Sequence, residues 1–168
     1  MDKPTRKNNR IQDYNYSQNG SYFITICTAE RARILSRIIP GNPLPGGQEH
    51  VTTELLPFGK IADKYIKDLN SFYTHITIDK YVIMPDHIHF LITIHHSPTD
   101  GLSPDWRSSE ISRFIGTFKR FCNKEYGKNI WQARFYDHVI RNEQDYADAW
   151  EYIDTNPFHW LVKHRGYL

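Results

Sequence analysis

The chain has 168 residues but only two cysteines and two methionines, and Lys plus Arg exceed Asp plus Glu by 21 to 19. Two cysteines cannot staple a disulfide framework, so Cys27 and Cys122 read as small buried apolar residues, and nothing argues for an oxidising compartment. No apolar run approaches the roughly 20 residues that span a bilayer. The opening Met1-Asp2-Lys3-Pro4-Thr5-Arg6-Lys7 lacks the apolar stretch of a secretion signal, so a cytoplasmic location is expected. A net charge of +2 does not announce a polyanion-binding surface. Any nucleic-acid contact must come from local clusters. What is present in quantity is aromatic, at 14% of residues, and a chain of this length buries enough surface for one core.

One domain over residues 1–168 is expected. Residues 1–19, with Lys3, Arg6, Lys7 and Arg10, read as a flexible basic arm, either solvated or laid on DNA. Ser21–Cys27 alternates as a first strand. Residues 34–55 form a hairpin insertion with weak arms at Ile34–Ile39 and His50–Leu55, and Pro40–Gly47 is a breaker-rich tip. From Phe58 a helix carries Ile61, Ala62, Tyr65, Leu69 and Phe72 on its apolar stripe. Ile76–Ile83 and His87–Ile94 are two strands about Met84-Pro85-Asp86, and Ser97–Trp106 is a loop. A second helix aligns Ile111, Phe114, Ile115, Phe118, Phe121 and Cys122. A short strand at Arg134–Ile140 precedes a last helix from Glu143, capped by Asn142 and ended near Thr155 by Pro157. The order gives an α+β, ferredoxin-like βαββαβ fold with an antiparallel sheet, plus a C-terminal helix. The first two helices cover one sheet face and leave the other for a site.

Two patterns carry chemistry. On the strand after Asp86, Ile88, Phe90, Ile92 and Ile94 share the face under the helices, while His87 and His89 share the other with Leu91, Thr93 and His95. Side chains two apart on a strand are roughly 6–7 Å apart, close enough for two imidazoles to hold one ion. Two ordinary histidines on a half-exposed strand fit the same spacing. On the last helix, Tyr146, Ala149, Trp150 and Ile153 form the inner stripe. Tyr152 falls well off its centre at about 100° per residue. Asn156, one turn on, shares that bearing at a helix end; a solvated tyrosine and a C-cap asparagine would look alike.

The stretch Tyr81–Ile92, with His87-Ile88-His89, resembles the histidine–hydrophobic–histidine motif of the HUH single-strand nucleases. Trp131-Gln132-Ala133-Arg134-Phe135-Tyr136-Asp137-His138-Val139-Ile140-Arg141-Asn142 and Glu151-Tyr152-Ile153-Asp154-Thr155-Asn156-Pro157 are similar to the REP-associated tyrosine transposases within the single-tyrosine transposase-like group. Tyr22–Thr28 and Phe58-Gly59-Lys60-Ile61 match the same layout. The resemblance covers about residues 20–160. It implies His87 and His89 as metal ligands, Tyr152 as nucleophile, and Asn156 as third ligand or site organiser. Insertion-sequence relatives commonly use glutamine at that last position.

The implied reaction is cleavage and rejoining of single-stranded, hairpin-containing DNA through a 5′-phosphotyrosine, by a transposase acting as monomer or homodimer. The implied cofactor is Mg²⁺ or Mn²⁺: nitrogen ligands favour Mn²⁺, whereas abundance and family behaviour favour Mg²⁺. A closed zinc site needs more nitrogen or sulfur ligands. A phenol is neutral near pH 7, so it needs a base, water or a metal's field to attack. For DNA contacts, Arg113, Arg120 and Lys124 form a basic row with Thr117 on the second helix; a solvated face is the alternative. Arg134 and Arg141 are phosphate candidates, and His138 is either a DNA contact or structural. Two other functions fit the same residues: a metal phosphodiesterase using water, and a non-catalytic hairpin-binding relative.

Overall fold

The computed structural model describes residues 20–41, 51–95 and 110–164. The basic arm, residues 42–47 of the expected tip at Pro40–Gly47 and the loop at 97–106 lie outside them. Strands β1 (Gly20–Cys27), β2 (Ser36–Pro40) and β3 (Val51–Leu55) precede helix α1 (Pro57–Phe72). Strands β4 (Ile76–Ile83) and β5 (His87–Ile94), helix α2 (Glu110–Tyr126), strand β6 (Tyr136–Val139) and helix α3 (Glu143–His164) follow. The main sheet runs β4-β5-β1-β6, antiparallel at every junction. Counted among themselves its strands stand 2-3-1-4, the ferredoxin-like arrangement expected from the element order. β2 and β3 pair with each other as a separate two-stranded ribbon, as the hairpin reading required.

Period-two alternation decides the two sheet faces. Tyr22, Ile24 and Ile26 of β1 and Ile88, Phe90, Ile92 and Ile94 of β5 join Ala62, Ile66 and Leu69 of α1 and Ile111, Phe114, Ile115, Phe118 and Cys122 of α2 in one core. Three predicted members stay outside: Ile61 on α1 is only half-buried and is not part of that core, and Phe72, in the last turn of α1, and Phe121 on α2 are exposed. Ile66, which the expected stripe left out, is buried, and the inner face of α1 is formed by Ala62, Ile66 and Leu69.

The expectation that the other face is open is corrected. α3 packs there against β4, β5 and the β2–β3 ribbon, and β5 is buried on both sides. The expected stop at Thr155 is corrected too, for α3 continues through Pro157 to His164. Proline in a helix interior removes a hydrogen bond and costs about 3 kcal/mol. That cost is offset by what the extra turns bury: Leu161 packs with Ile38 and Met84, and Trp160, Val51 and Val82 close around them. Tertiary burial of this size outweighs the local signal. At the other end the capping prediction holds, since Asn142 Oδ1 accepts the Asp145 N–H at 2.9 Å. No described helix is long and apolar enough to cross a membrane.

The ribbon is locked to α1 at one close approach. Leu56 N–H donates to the Leu35 carbonyl at 2.9 Å, and Gly59 lies against the same carbonyl, so that a Cβ there would sit 1.9 Å from the oxygen. Backbone cannot yield as a flexible side chain can. Gly59→Ala is therefore expected to destabilise the fold by about 2–4 kcal/mol, read as a lower urea midpoint. A loss below about 0.5 kcal/mol would show that α1 and the ribbon separate freely.

Candidate active site

β1 and β5 pair so that Thr25 stands opposite His89, and Cys27 opposite His87. Directly opposed residues point to the same side of a sheet, so each imidazole has a β1 neighbour within reach. Thr25 Oγ1 lies 2.7 Å from His89 Nδ1. The carboxylate of Asp86, on the turn before β5, accepts from His87 Nδ1 at 2.5 Å. With both Nδ1 atoms tied back, the two Nε2 atoms face each other 3.1 Å apart. The i, i+2 spacing of the sequence becomes a convergent pair of nitrogens.

Both imidazoles are buried, at 7% and 5% exposure, rather than half-exposed. Phe23 stacks on His89 with ring centroids 5.1 Å apart, and Trp160 of α3 lies over His87 at 5.9 Å. Burial, followed by the charges of His87 and Arg31, pushes His89 down to about 3, so it is neutral at any physiological pH. Burial alone would raise the Asp86 carboxyl, but the His87 hydrogen bond and the charges of His87, Arg31 and Arg33 hold it below its ordinary range. A neutral imidazole with its lone pair turned inward is the form a metal needs.

These two residues fit a divalent ion. Two nitrogen lone pairs 3.1 Å apart repel unless a proton or a cation lies between them, and both nitrogens can reach one ion at bonds of about 2.1 Å. The hydrogen-bonded Nδ1 atoms supply the outer partners that metal-binding histidines need. Among the described residues no group of three or more His, Cys, Asp or Glu could hold an ion. Among those residues a further ligand would be an amide oxygen such as that of Asn156, and water or a substrate oxygen could fill the remaining positions.

Tyr152 comes to this pair from α3. Its ring meets His89 edge-on at 5.3 Å and Phe23 at 5.7 Å, yet it stays 48% exposed. Among the described residues its hydroxyl has no hydrogen-bond partner. The inner stripe of α3 differs from the expected one: Ile153, Asn156 and Leu161 are buried, whereas Trp150 is exposed. Trp150 instead receives Lys80 over its ring at 4.2 Å, and Lys80 also pairs with Asp154 at 2.6 Å. Asn156 is not at a helix end but mid-helix and buried, at 7% exposure, without a side-chain hydrogen bond among the described residues.

The basic candidates divide between two regions. Arg113, Arg120 and Lys124 are exposed on α2, whose inner face packs on the sheet side opposite the imidazoles. The sheet thus stands between that row and the histidine pair. Arg113 pairs with Glu110 at 3.5 Å, and the Arg120 guanidinium lies over Phe121. On β6, His138 is opposite Phe23 and so faces the imidazole side. Its Nε2 is 3.0 Å from both carboxylate oxygens of Asp145, and Asp145 also accepts the Arg141 N–H at 3.0 Å. The hydrogen bond from His138 is the main reason the Asp145 carboxyl titrates low. His138 thereby ties β6 to α3, while the Arg141 and Arg134 side chains are exposed. The Arg134 backbone is held by Lys119 Nζ, which donates to the carbonyls of Gln132 and Arg134 at 2.8 and 3.2 Å.

Sequence reasoning missed Thr25, Phe23, Arg31 and Trp160, whose places depend on strand register and on the length of α3. Asp86 stood beside the histidines in the motif, and its neighbour His87 was the available signal. Thr25→Val would strand His89 Nδ1 in a buried setting. It is expected to cost about 1–3 kcal/mol in urea unfolding, and an unchanged midpoint would mean that Nδ1 finds another partner.

No protein-family model matches the chain. A Haemophilus influenzae protein without an assigned function is 28% identical over 92% of this chain and 89% of its own length. The Escherichia coli REP-associated tyrosine transposase is 39% identical over 52% of this chain, so that the chain matches about half, 45%, of that relative's length. Among solved structures, a REP-associated tyrosine transposase bound to a REP hairpin superposes with a TM-score of 0.61. It is 24% identical, over 92% of this chain and 73% of that one.

Proposed function

We propose that the chain is a REP-associated tyrosine transposase, a reading supported by its likeness to two relatives of that name, and that it cuts and rejoins single-stranded DNA beside a hairpin, with Tyr152 as nucleophile. One observation carries this reading: an exposed tyrosine edge-on to one of two buried imidazoles whose Nε2 atoms converge. Hairpin DNA as substrate is supported by the ligand of the structural relative.

His87 and His89 would hold Mg²⁺ or Mn²⁺, with Asn156 the third candidate on the α3 side. When bound, such an ion neutralises charge on the non-bridging phosphate oxygens and on the departing oxygen. The protein's own groups do the rest. Asp86 and Thr25 keep both Nδ1 atoms engaged, so neither ring can turn its Nε2 away. Phe23, Trp160 and the sheet exclude water from one side of the pair, which strengthens local electrostatics. Tyr152, on the solvent side of His89, is open to a DNA strand.

In the reaction the Tyr152 phenol loses its proton to water and its oxygen bonds to the scissile phosphorus. The phosphorus–O3′ bond breaks, and the departing 3′ oxygen takes up a proton. The product is a 5′-phosphotyrosine and a free 3′-hydroxyl. Attack by another 3′-hydroxyl reverses the exchange and releases the tyrosine, so strands are rejoined with no nucleotide triphosphate. Arg134 and Arg141, exposed beside β6 and α3, are the phosphate contacts this path favours. Arg113, Arg120 and Lys124 could meet only DNA that wraps past the sheet edge.

The test is incubation of the protein with single-stranded DNA bearing a short hairpin, with and without Mn²⁺ or Mg²⁺. A denaturation-resistant protein–DNA adduct is expected, reduced about a thousand-fold or more by Tyr152→Phe. Cutting that persists in Tyr152→Phe without an adduct would replace the tyrosine by water as nucleophile. Adduct formation undiminished in the His87→Ala/His89→Ala double variant would remove the metal from the mechanism.

A further inference from the structure

Glu30 and Arg31, in the short turn after β1, both adopt positive φ, 54° and 56°, and among the described residues no other non-glycine does. Side chains pay for that conformation, and two in succession persist only where the surroundings over-determine them. What holds the turn is visible. Thr28 Oγ1 donates to the carbonyls of Ala32 and Asp86, Thr28 N–H donates to the Asp86 carbonyl, and Ala29 N–H to that of Ile130. The turn is thereby fastened to the residue that precedes the histidine strand.

The strained geometry delivers one side chain to one place. Arg31 Nε lies 3.1 Å from Asp86 Oδ2, and its Nη1 donates to the buried Cys27 sulfur. The other Asp86 oxygen is the acceptor for His87 Nδ1. The guanidinium, the carboxylate and the imidazole therefore form a line whose far end is the Nε2 atom facing His89. Asp86 is buried and would be free to rotate about its side-chain bonds if only one of its oxygens were engaged. With both engaged, its plane is fixed, and so is the plane of the ring it holds.

We propose that Arg31 is a positioning residue for His87: by clamping Asp86 it sets which ring nitrogen carries the proton and aims Nε2 at the site. Arg31 itself touches neither imidazole through any hydrogen bond described. The proposal rests on the reading of His87 as a ligand, but its central consequence, the state of the ring, is measurable without metal.

In metal-free protein, ¹⁵N and ¹³C shifts of His87 are expected to report the Nδ1–H tautomer. Arg31→Gln is expected to give a mixture of tautomers and to weaken Mn²⁺ binding, measured by calorimetry, about ten-fold. Asp86→Asn should weaken Mn²⁺ binding by a similar factor, and the double variant should lose little more than either single one, since both act through one line. Cys27→Ala removes the other Arg31 contact and is expected to leave the tautomer unchanged. If Arg31→Gln does not fold, Arg31→Met keeps the stem and serves in its place. A wild-type tautomer in the folded Arg31 variant, losses that multiply in the double variant, or a tautomer shifted equally by Cys27→Ala would overturn the proposal. Wild-type protein that binds no Mn²⁺ would defeat the metal reading of the pair, while the tautomer comparison would still decide the role of Arg31.

Discussion

The structure turns on the antiparallel register of β1 against β5. That pairing sets Thr25 beside His89 and Cys27 beside His87, and a slip of one residue would exchange every side chain between the two faces. The core would then receive two imidazoles, and the α3 side would receive isoleucines. Register is therefore not an adjustable detail here. It is held by the apolar alternation of Tyr22, Ile24 and Ile26 against Ile88, Phe90 and Ile92, all of which are buried completely.

From that constraint the division of labour follows. One sheet face is wholly apolar and carries stability through α1 and α2. The other is polar at its heart, where Ser21, Thr93 and Asp79 are joined by hydrogen bonds of 2.7 and 2.5 Å, with the histidine pair further along the same strands. α3 must cover this face with few apolar residues. Only Ile153, Asn156 and Leu161 of its 22 residues are buried, so it docks largely through ring contacts and ion pairs such as Lys80 with Asp154.

The order of elements, the face carrying the histidines and the cap of α3 were legible in the sequence, because each rests on local periodicity or on a capping residue. The burial of His87 and His89 was not legible, since it depends on a helix distant in the chain, whose Tyr152 and Trp160 pack on the two rings. The end of α3 was misread for a related reason: Pro157 is a strong local signal, and the burial of Leu161 and Trp160 that outweighs it exists only once the β2–β3 ribbon is in place. The resemblance to a known family singled out Tyr152 and the histidines, side chains that the structure brings together. It could not show that Thr25 and Asp86 hold the rings, or that the α2 row lies behind the sheet.

Pro157 leaves a mechanical mark on α3. Its nitrogen has no hydrogen to offer, so the carbonyl of Ile153, four residues earlier, loses its usual donor within the helix. The missing rung falls between the turn that bears Tyr152 and the turn that lays Trp160 over His87. Bending is cheapest where a rung is absent. The helix thus has its weakest rung between a half that presents the phenol to solvent and a half packed on the ribbon through Leu161 and Trp160.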